Sequence, residues 1–505
     1  LPVRVDAERR PDVSARYTLD GWPTTAFLTP DGDLLGGGAH LDADALTAVL
    51  VDVAEAFAWQ RADIDVRAAA GRIAVPGKAD PGGNLDPDEW AAAGGKTGSG
   101  QESAHGAAAA RTAGADAADR PPAGRAIRRM PAMLESMRAD AADRPPAGGA
   151  GLDHGAGQWL HDLLLERFDE TSAGFGEGPK RVEPDALAAA LLLCRENRDP
   201  DLTRVVTRTL DALAGGGLWD PVDGGFFRYC AGRDWTVPAP EKLLAPNARL
   251  LDLYLSASAL FEREDYAERA RAIVRFAHGT LADPDGGFCA SQRAAPDPDW
   301  PGHSPAPGAG AIDRTLYTDA TAVMASAYVH GASVLDDESL LQFAAESVDR
   351  VVMATYERGA GVGHTATGDA SPRGLLADQV LASAALLDLY EATGQPVYLD
   401  MPRELMAYCR HALWDEAGGF ADRDPTRQGP DAPVGLLRDP VYPLDLNCRA
   451  VIVLARLAAL AEEPACLDLA RRTLAPQTRA YRKLGLDGAA YVLALDALFA
   501  ASSRP

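Results

Sequence analysis

A chain of 505 residues has room for more than one domain and for a large core. Its 73 acidic against 49 basic residues give a formal charge of −24, which argues against nucleic acid or an anionic membrane surface as a partner. Abundant alanine and an arginine excess over only Lys78, Lys96, Lys180, Lys242 and Lys483 fit a cytoplasmic protein, either from a GC-rich, salt-adapted cell or simply acidic.

The first elements are short. Val3 and Val5 alternate with Arg4 in a strand ending at Asp6, and Thr24 to Thr29 is a β-rich run. Pro30-Asp31-Gly32-Asp33 supplies turn chemistry before a return strand at Leu34-Leu35. Leu46, Val49, Leu50, Val53 and Phe57 then fall at helical spacing behind Asp42 as N-cap. Residues 20–41 resemble the second half of a thioredoxin fold without the half that holds the redox cysteines, and the order of strand, helix, hairpin and helix around them supports this. On that resemblance Pro23 is the cis-proline candidate; the alternative is an ordinary turn proline. A fragment lacking the sheet's central strand should be poorly paired on its own. Leu1 is not an initiator residue, and truncation is the simplest account of it.

From about Pro76 to Gly151 hydrophobic periodicity fades into Ala, Gly, Pro and Asp. Ala115 to Gly124 reads Ala-Asp-Ala-Ala-Asp-Arg-Pro-Pro-Ala-Gly, and Ala139 to Gly148 repeats it unchanged, which reads as a disordered linker over 76–150 with one helical segment at 125–137. Gly94-Gly95-Lys96-Thr97 lacks the upstream glycine of a phosphate loop, where Trp90 stands instead.

Beyond the linker the chain reads as paired helices: 155–168, 184–197, 199–214, 242–262, 264–282, 314–333, 336–355, 373–394, 396–413, 442–462, 463–477 and 486–502. Tight joints near Arg198, Arg263, Val334, Gly394 and Glu463 alternate with long loops. Ala173-Gly174-Phe175, Gly224-Gly225-Phe226, Gly286-Gly287-Phe288 and Gly418-Gly419-Phe420 each follow a helix and an aspartate, with the aromatic placed to plug a ring's end. Long loops on one side predict a mainly α protein whose second domain, 151–505, is a closed (α/α)6 toroid behind the partial thioredoxin-like segment of 1–75; an open solenoid is the alternative.

The second long loop carries Gly216-Gly217-Leu218-Trp219-Asp220, Gly224-Gly225-Phe226-Phe227-Arg228-Tyr229 and Trp235 through Ala248. With Asp6-Ala7-Glu8-Arg9-Arg10-Pro11-Asp12, Gly21-Trp22-Pro23 and Phe175-Gly176-Glu177-Gly178-Pro179-Lys180, these motifs resemble the thioredoxin-domain-containing family of spermatogenesis-associated protein 20. The resemblance implies a thioredoxin-like domain joined to a six-hairpin toroid like those of glycosidases and N-acylglucosamine 2-epimerases. The chain departs from that pattern at Phe227, where the family has His, at Ala239-Pro240 for His-Phe, and at Ala245-Pro246 for Tyr-Asp.

Glycoside cleavage needs two carboxyls about the bond, and epimerisation beside a carbonyl needs a positioned acid and base. Glu241 and Asp378, each opening an inner helix, are the candidate catalytic pair, and their carboxyls should stand about 5–10 Å apart in a glycosidase. Trp219, Asp220, Arg228, Tyr229, Lys242 and Asn247 are candidate substrate contacts, with Trp235 as a further stacking residue; Asp319, Asp445 and Asp487 occupy comparable positions. Acids at helix starts also serve as caps, Glu241-Lys242 also reads as a local ion pair, and aromatics at glycine turns also serve as plugs. His364 falls in a loop, while His278, His330 and His411 read as packing or surface residues. No spacing points to a metal, and no cofactor is implied. Cys194, Cys230, Cys289, Cys409, Cys448 and Cys466 contain no Cys-x-x-Cys pair and read as reduced packing residues. The best apolar run, Ala186 to Cys194, is too short to span a bilayer, and no signal peptide is visible. The expected ligand is a small polar molecule or carbohydrate, bound or processed in the toroid. The alternatives are a non-catalytic binding or scaffold protein, and a thiol–disulfide role requiring a missing N-terminal half.

Overall fold

The computed structural model describes residues 2–19, 23–39, 41, 43–59, 151–293, 311–368 and 371–503. The linker at 76–150, with its decapeptide repeat and helical segment, and Gly21, Trp22 and Asp42 lie outside the described residues. The chain divides into two compact units: Leu1–Asp12 with Pro146–Pro433 and Asp439–Pro505, and Val13–Pro145 with Val434–Arg438.

The described part of the smaller unit is the body of α1 (Pro11–Tyr17), the hairpin β1 (Thr24–Leu28) and β2 (Leu34–Ala39), and α2 (Ala43–Trp59). β1 and β2 pair antiparallel, with a bulge at Phe27/Leu28 and a turn in which the Asp33 amide donates to Thr29 Oγ1 at 3.0 Å. Arg16 is fully buried and its Nε donates to the Leu436 carbonyl at 2.9 Å. The Tyr17 hydroxyl donates to the Gly32 carbonyl at 2.5 Å and accepts from the Leu436 amide at 3.0 Å. Pro23 sits exposed one residue before β1. The expected strand at Val3–Asp6 is absent: alternation alone makes no strand without a partner to complete the ladder, and Val3 and Val5 are exposed in irregular chain.

The larger unit holds twelve helices among the described residues. They are α3 (Ala156–Arg167), α4 (Pro184–Asn197), α5 (Pro200–Gly215), α6 (Leu244–Phe261), α7 (Glu264–Phe276), α8 (Thr318–Val334), α9 (Glu338–Thr355), α10 (Leu376–Thr393), α11 (Val397–Ala412), α12 (Leu444–Leu460), α13 (Pro464–Gln477) and α14 (Ala490–Ser502). Packing runs α4 to α6 to α8 to α10 to α12 to α14 and from α14 back to α4, which closes the ring. α5, α7, α9, α11 and α13 each back the inner helix before them, and α3 backs α14, so the last hairpin joins the two ends of the domain. The Asp153 carboxylate fastens that seam, accepting from Tyr481 Oη at 2.6 Å and Arg482 Nη2 at 2.7 Å.

Inner helices are apolar around most of their circumference. α10 buries Leu376, Val380, Ala382, Ala385, Leu386, Leu387 and Leu389, whereas outer helices such as α5 bury one stripe, Leu202, Val205, Val206, Leu210 and Leu213. The stretch Tyr481–Ser502 is long and apolar enough by composition to cross a membrane, a longer run than Ala186–Cys194. Here it is a 3-10 segment, Tyr481–Ala489, continued by α14, whose Tyr491, Leu495 and Leu498 are buried in the ring.

The tight outer turns are closed by left-handed residues at Arg198, Glu262 and Gly394. The Gly-Gly-Phe loops share one construction. Asp169, Asp220, Asp283 and Asp415 each accept backbone N–H groups two or three residues on, and Phe175, Phe226, Phe288 and Phe420 pair back to the start of their loops. Gly225 has φ +79°, and a Cβ there would lie 2.5 Å from the Phe276 ring. A three-stranded sheet, β3 (Glu241–Leu243), β4 (Ser291–Arg293) and β5 (Ala311–Asp313), stands at the loop-bearing end; β6 (Trp414–Asp415) and β7 (Gly419–Phe420) close a further loop.

Candidate functional site

Inner helices all enter the ring from the long-loop side, so their first turns define its mouth. A helix advances about 100° per residue, which places residues two apart on nearly opposite faces. α6 and α12 use this in the same way, carrying Asn247-Ala248-Arg249 and Asn447-Cys448-Arg449.

The asparagines turn outward to the loops. Asn247 Oδ1 accepts from the Phe226 amide at 2.7 Å, and its Nδ2 donates to the Phe226 and Leu243 carbonyls. Asn447 repeats the pattern on Phe420 and Pro443, and Gln379 of α10 does so on Val362 and Leu375. Gly361-Val362 is therefore a fifth loop of the same kind, hidden in the sequence because valine replaces phenylalanine and glutamine replaces asparagine.

The arginines turn inward. Arg249 Nη1 and Arg449 Nη2 donate to the same oxygen, Asp185 Oδ1, at 3.0 and 2.6 Å. Asp185 lies in the first turn of α4, and the ring order places α14 between α4 and α12. The Asp185–Arg449 bridge therefore runs through the ring interior. Both guanidinium side chains keep open surface, 26 % and 20 %, so the interior is accessible there. Burial, then the like charge of Arg449, lowers the Arg249 pKa to about 10. Burial raises the Asp445 carboxyl, which faces the same three groups. Further along the inner helices, His330 Nδ1 meets Asp252 Oδ1 at 2.7 Å, and Arg456 bridges Asp388 and Glu391 at 2.8 and 2.6 Å.

A second inward group lies on α8, α10 and the loop between α9 and α10. His364 Nδ1 and Asp378 Oδ1 are 2.8 Å apart, both side chains being buried, and Asp319 stands 4.0 Å from the ring nitrogen with 26 % of its side chain open. His364 Nε2 lies 2.7 Å from the Glu8 carbonyl oxygen, which can only accept. With carboxylates on one nitrogen and a carbonyl on the other, both nitrogens donate and the ring is an imidazolium. Burial alone would lower its pKa; Asp378, helped by Asp319, overcomes this and carries it up to about 10. Burial pushes Asp319 up to about 6. Asp319, His364 and Asp378 also offer one ligand atom each within 4.8 Å of one another, close enough to share a cation. A cation would need a lone pair on the imidazole nitrogen that this arrangement protonates, so the residues fit an ion pair better than a metal set.

The Glu8 carbonyl belongs to the Asp6–Asp12 motif, which docks on the toroid. Asp6 Oδ1 accepts from the amides of Glu8 and Arg9, and Asp12 pairs with Arg10 at 2.9 Å and with buried Arg423 at 2.6 Å.

The structure separates the residues singled out in the sequence. Asn247 is fully buried in its loop bonds and is removed from the substrate contacts. Lys242 is buried, with Nζ 2.5 Å from Asp220 Oδ2, 2.7 Å from the Gly224 carbonyl and over the Phe227 and Phe276 rings. Asp220 forms the loop turn as well, so this pair locks the loop, as Lys180 and Asp169 do in the preceding one. Trp219 packs on Phe226 and beneath Arg269, and Trp235 is buried with its indole donating to the Ser172 carbonyl. Glu241 does not open α6: it lies in β3, three residues earlier, because its backbone pairs with Arg293 and takes up the Arg228 amide. Its carboxylate stands 3.4 Å from Arg228 and 3.7 Å from Arg293 on the partly open rim, and Tyr229 is exposed nearby in sequence. Asp378 is in the first turn of α10, fully buried against His364, which argues against Glu241 and Asp378 acting as a glycosidic carboxylate pair. Sequence reasoning missed Asp185, Arg249, Arg449 and the His364 partnership. The repeated Asn-x-Arg was the available signal for the first group.

Known proteins resemble parts of this chain. Spermatogenesis-associated protein 20 of Mus musculus is 34% identical over 140 residues, 27% of this chain, and the human protein is 34% identical over 150 residues, 29% of it. Over part of its length the chain is a homologue of spermatogenesis-associated protein 20. The matches span only 18% and 19% of those relatives, about a fifth of their length. No known family signature matches the chain. Among solved structures, cellobiose 2-epimerase from Spirochaeta thermophila has a TM-score of 0.52 at 17% identity, covering 63% of this chain and 82% of its own. A family 76 α-mannanase from Bacteroides thetaiotaomicron has a TM-score of 0.50 at 11% identity, covering 69% and 99%. At such identities the likeness is one of fold, and the fold is the (α/α)6 toroid.

Proposed function

We propose that the toroid interior binds and processes a small carbohydrate, with Asp319 as the proton-transfer group. One observation carries the reading: Asp319 faces the interior with open surface, its carboxyl held up to about 6, beside the buried His364–Asp378 pair. A carboxyl with that pKa exchanges protons near neutrality, as acid and base chemistry on a sugar requires. His364 and Asp378 fix its electrostatic surroundings and act through it; Glu241, held by Arg228 and Arg293, is a rim contact. The epimerase and mannanase that share the fold support the ligand class. The cysteines do not supply thiolate chemistry, since burial raises Cys230 and Cys466 to about 11.

The test is a thermal-shift screen of mono- and disaccharides on the intact chain. Any sugar that stabilises it is then incubated in D2O and followed by NMR for deuterium uptake or bond cleavage. At least one sugar should stabilise the wild type and turn over, with turnover lost and binding retained in Asp319→Asn. A panel that neither stabilises nor reacts sinks the proposal.

A further inference from the structure

Arg249 and Arg449 meet at Asp185, not at Asp319, and their geometry is not that of a structural ion pair. A guanidinium buried for packing would be expected to satisfy its fork with carboxylate and carbonyl oxygens. Here two forks converge on one oxygen, Asp185 Oδ1, and Arg449 Nε is buried without a hydrogen-bond partner. The two side chains come from helices on different sides of the ring, yet both remain accessible from its interior. Planar forks with donors to spare match the paired oxygens of a carboxylate or phosphate. Burial lowers the Arg249 pKa most, and the like charge of Arg449 adds to it; a further anion relieves that like-charge repulsion. Asp445 is the other acid facing this group, its carboxyl raised by burial.

We propose that Arg249 and Arg449 form an anion subsite in the toroid, and that the ligand is an acidic sugar bearing a carboxylate or phosphate group. The sugar half of this statement rests on the function proposed above; the anion half does not. Asp185 is the resident counter-charge, holding both forks in place and sharing them with the ligand.

The experiment is calorimetric titration of the full chain with glucose, glucuronate, glucose 6-phosphate and inorganic phosphate. Charge-assisted bonds to two guanidiniums should make one of the acidic sugars bind about tenfold or more tighter than glucose. That preference should vanish in Arg449→Gln and grow in Asp185→Asn, which removes the competing carboxylate. Glucuronate winning identifies a carboxylate, and glucose 6-phosphate a phosphate. Equal binding of glucose and both acidic sugars overturns the anion subsite and leaves the carbohydrate reading standing. Arg449-dependent binding of inorganic phosphate with no sugar binding does the reverse. No binding by any of the four overturns both. Circular dichroism checks that each variant folds; if Arg449→Gln does not, unchanged affinity in Asp185→Asn overturns the subsite.

Discussion

The polar residues of the ring fall into two sets that differ in what they face. Asp220, Lys242, Asn247 and Asn447 face the Gly-Gly-Phe loops, are buried, and bind backbone groups of their own hairpins. Asp185, Arg249, Arg449 and Asp319 face the interior and keep open surface; the first three bind one another, and Asp319 accepts from the amide of Ala320 beside it. Asp220 apart, both sets sit in or just before the first turns of inner helices, so sequence position does not separate them; rotation about the helix axis does. Stability should therefore reside in the first set and ligand selectivity in the second.

The largest expected effect tests the loop set. Lys242→Ala leaves the largely buried Asp220 carboxylate without its counter-charge and orphans the Gly224 carbonyl, at a cost of about 3–5 kcal/mol. Urea denaturation should show this as a lower midpoint with unchanged slope. A loss below about 1 kcal/mol, the range of exposed pairs, would mean that Lys242 is not a lock.

Asn247→Ala follows, at about 2–3 kcal/mol, because it strands the buried amide and carbonyl of Phe226. Asn447→Ala should cost a similar amount, since its bonds to Phe420 repeat those geometries. The two lie in different hairpins, so the double variant should sum within about 0.5 kcal/mol. Strong non-additivity would show that the loops unfold together rather than hairpin by hairpin.

The toroid was legible because its inner helices are apolar around most of their surface and its loops repeat Gly-Gly-Phe. Leu376 through Leu389 and the four aromatic plugs carry that pattern without any tertiary information. The site was not legible in the same way. Lys242 and Asn247 resemble ligand contacts, being polar residues beside aromatics, and only the direction of their side chains shows them serving the loop backbone. Asp185, Arg249 and Arg449 read as ordinary helix-surface charges until the ring closes and brings them through its interior. His364 lies in a loop with no local partner; Asp378 reaches it only when α10 folds beside it. At the other end, the Val3–Asp6 alternation predicted a strand that has no partner among the described residues.

The interior set has its own pH signature, intermediate in size. His364 has an ordinary value of 6.5 and rises to about 10 in the fold. Its contribution is fully present below about pH 6.5 and is lost as pH climbs through about 10. Asp319 runs the same way at lower pH: its carboxyl rises from 3.8 to about 6, so the folded state loses stability between those values as this partly buried acid ionises. Wild type should therefore lose more stability between pH 6.5 and 10 than His364→Gln does. Parallel pH curves for the two would show that the Asp378 pairing does not hold the imidazolium.

The smallest expected stability effect belongs to the rim, and it sharpens the division most. Arg228 and Glu241 are both partly exposed and 3.4 Å apart, so removing one screened partner should cost no more than about 1 kcal/mol. Arg228→Ala should thus leave the urea midpoint nearly unchanged, unlike Lys242→Ala, although Lys242 is the residue next to Glu241. If the rim is a ligand contact, Arg228→Ala should weaken sugar binding while stability stays put. A variant that instead lost several kcal/mol would place Glu241 with the loop locks, and the interior alone would then be left to bind a ligand.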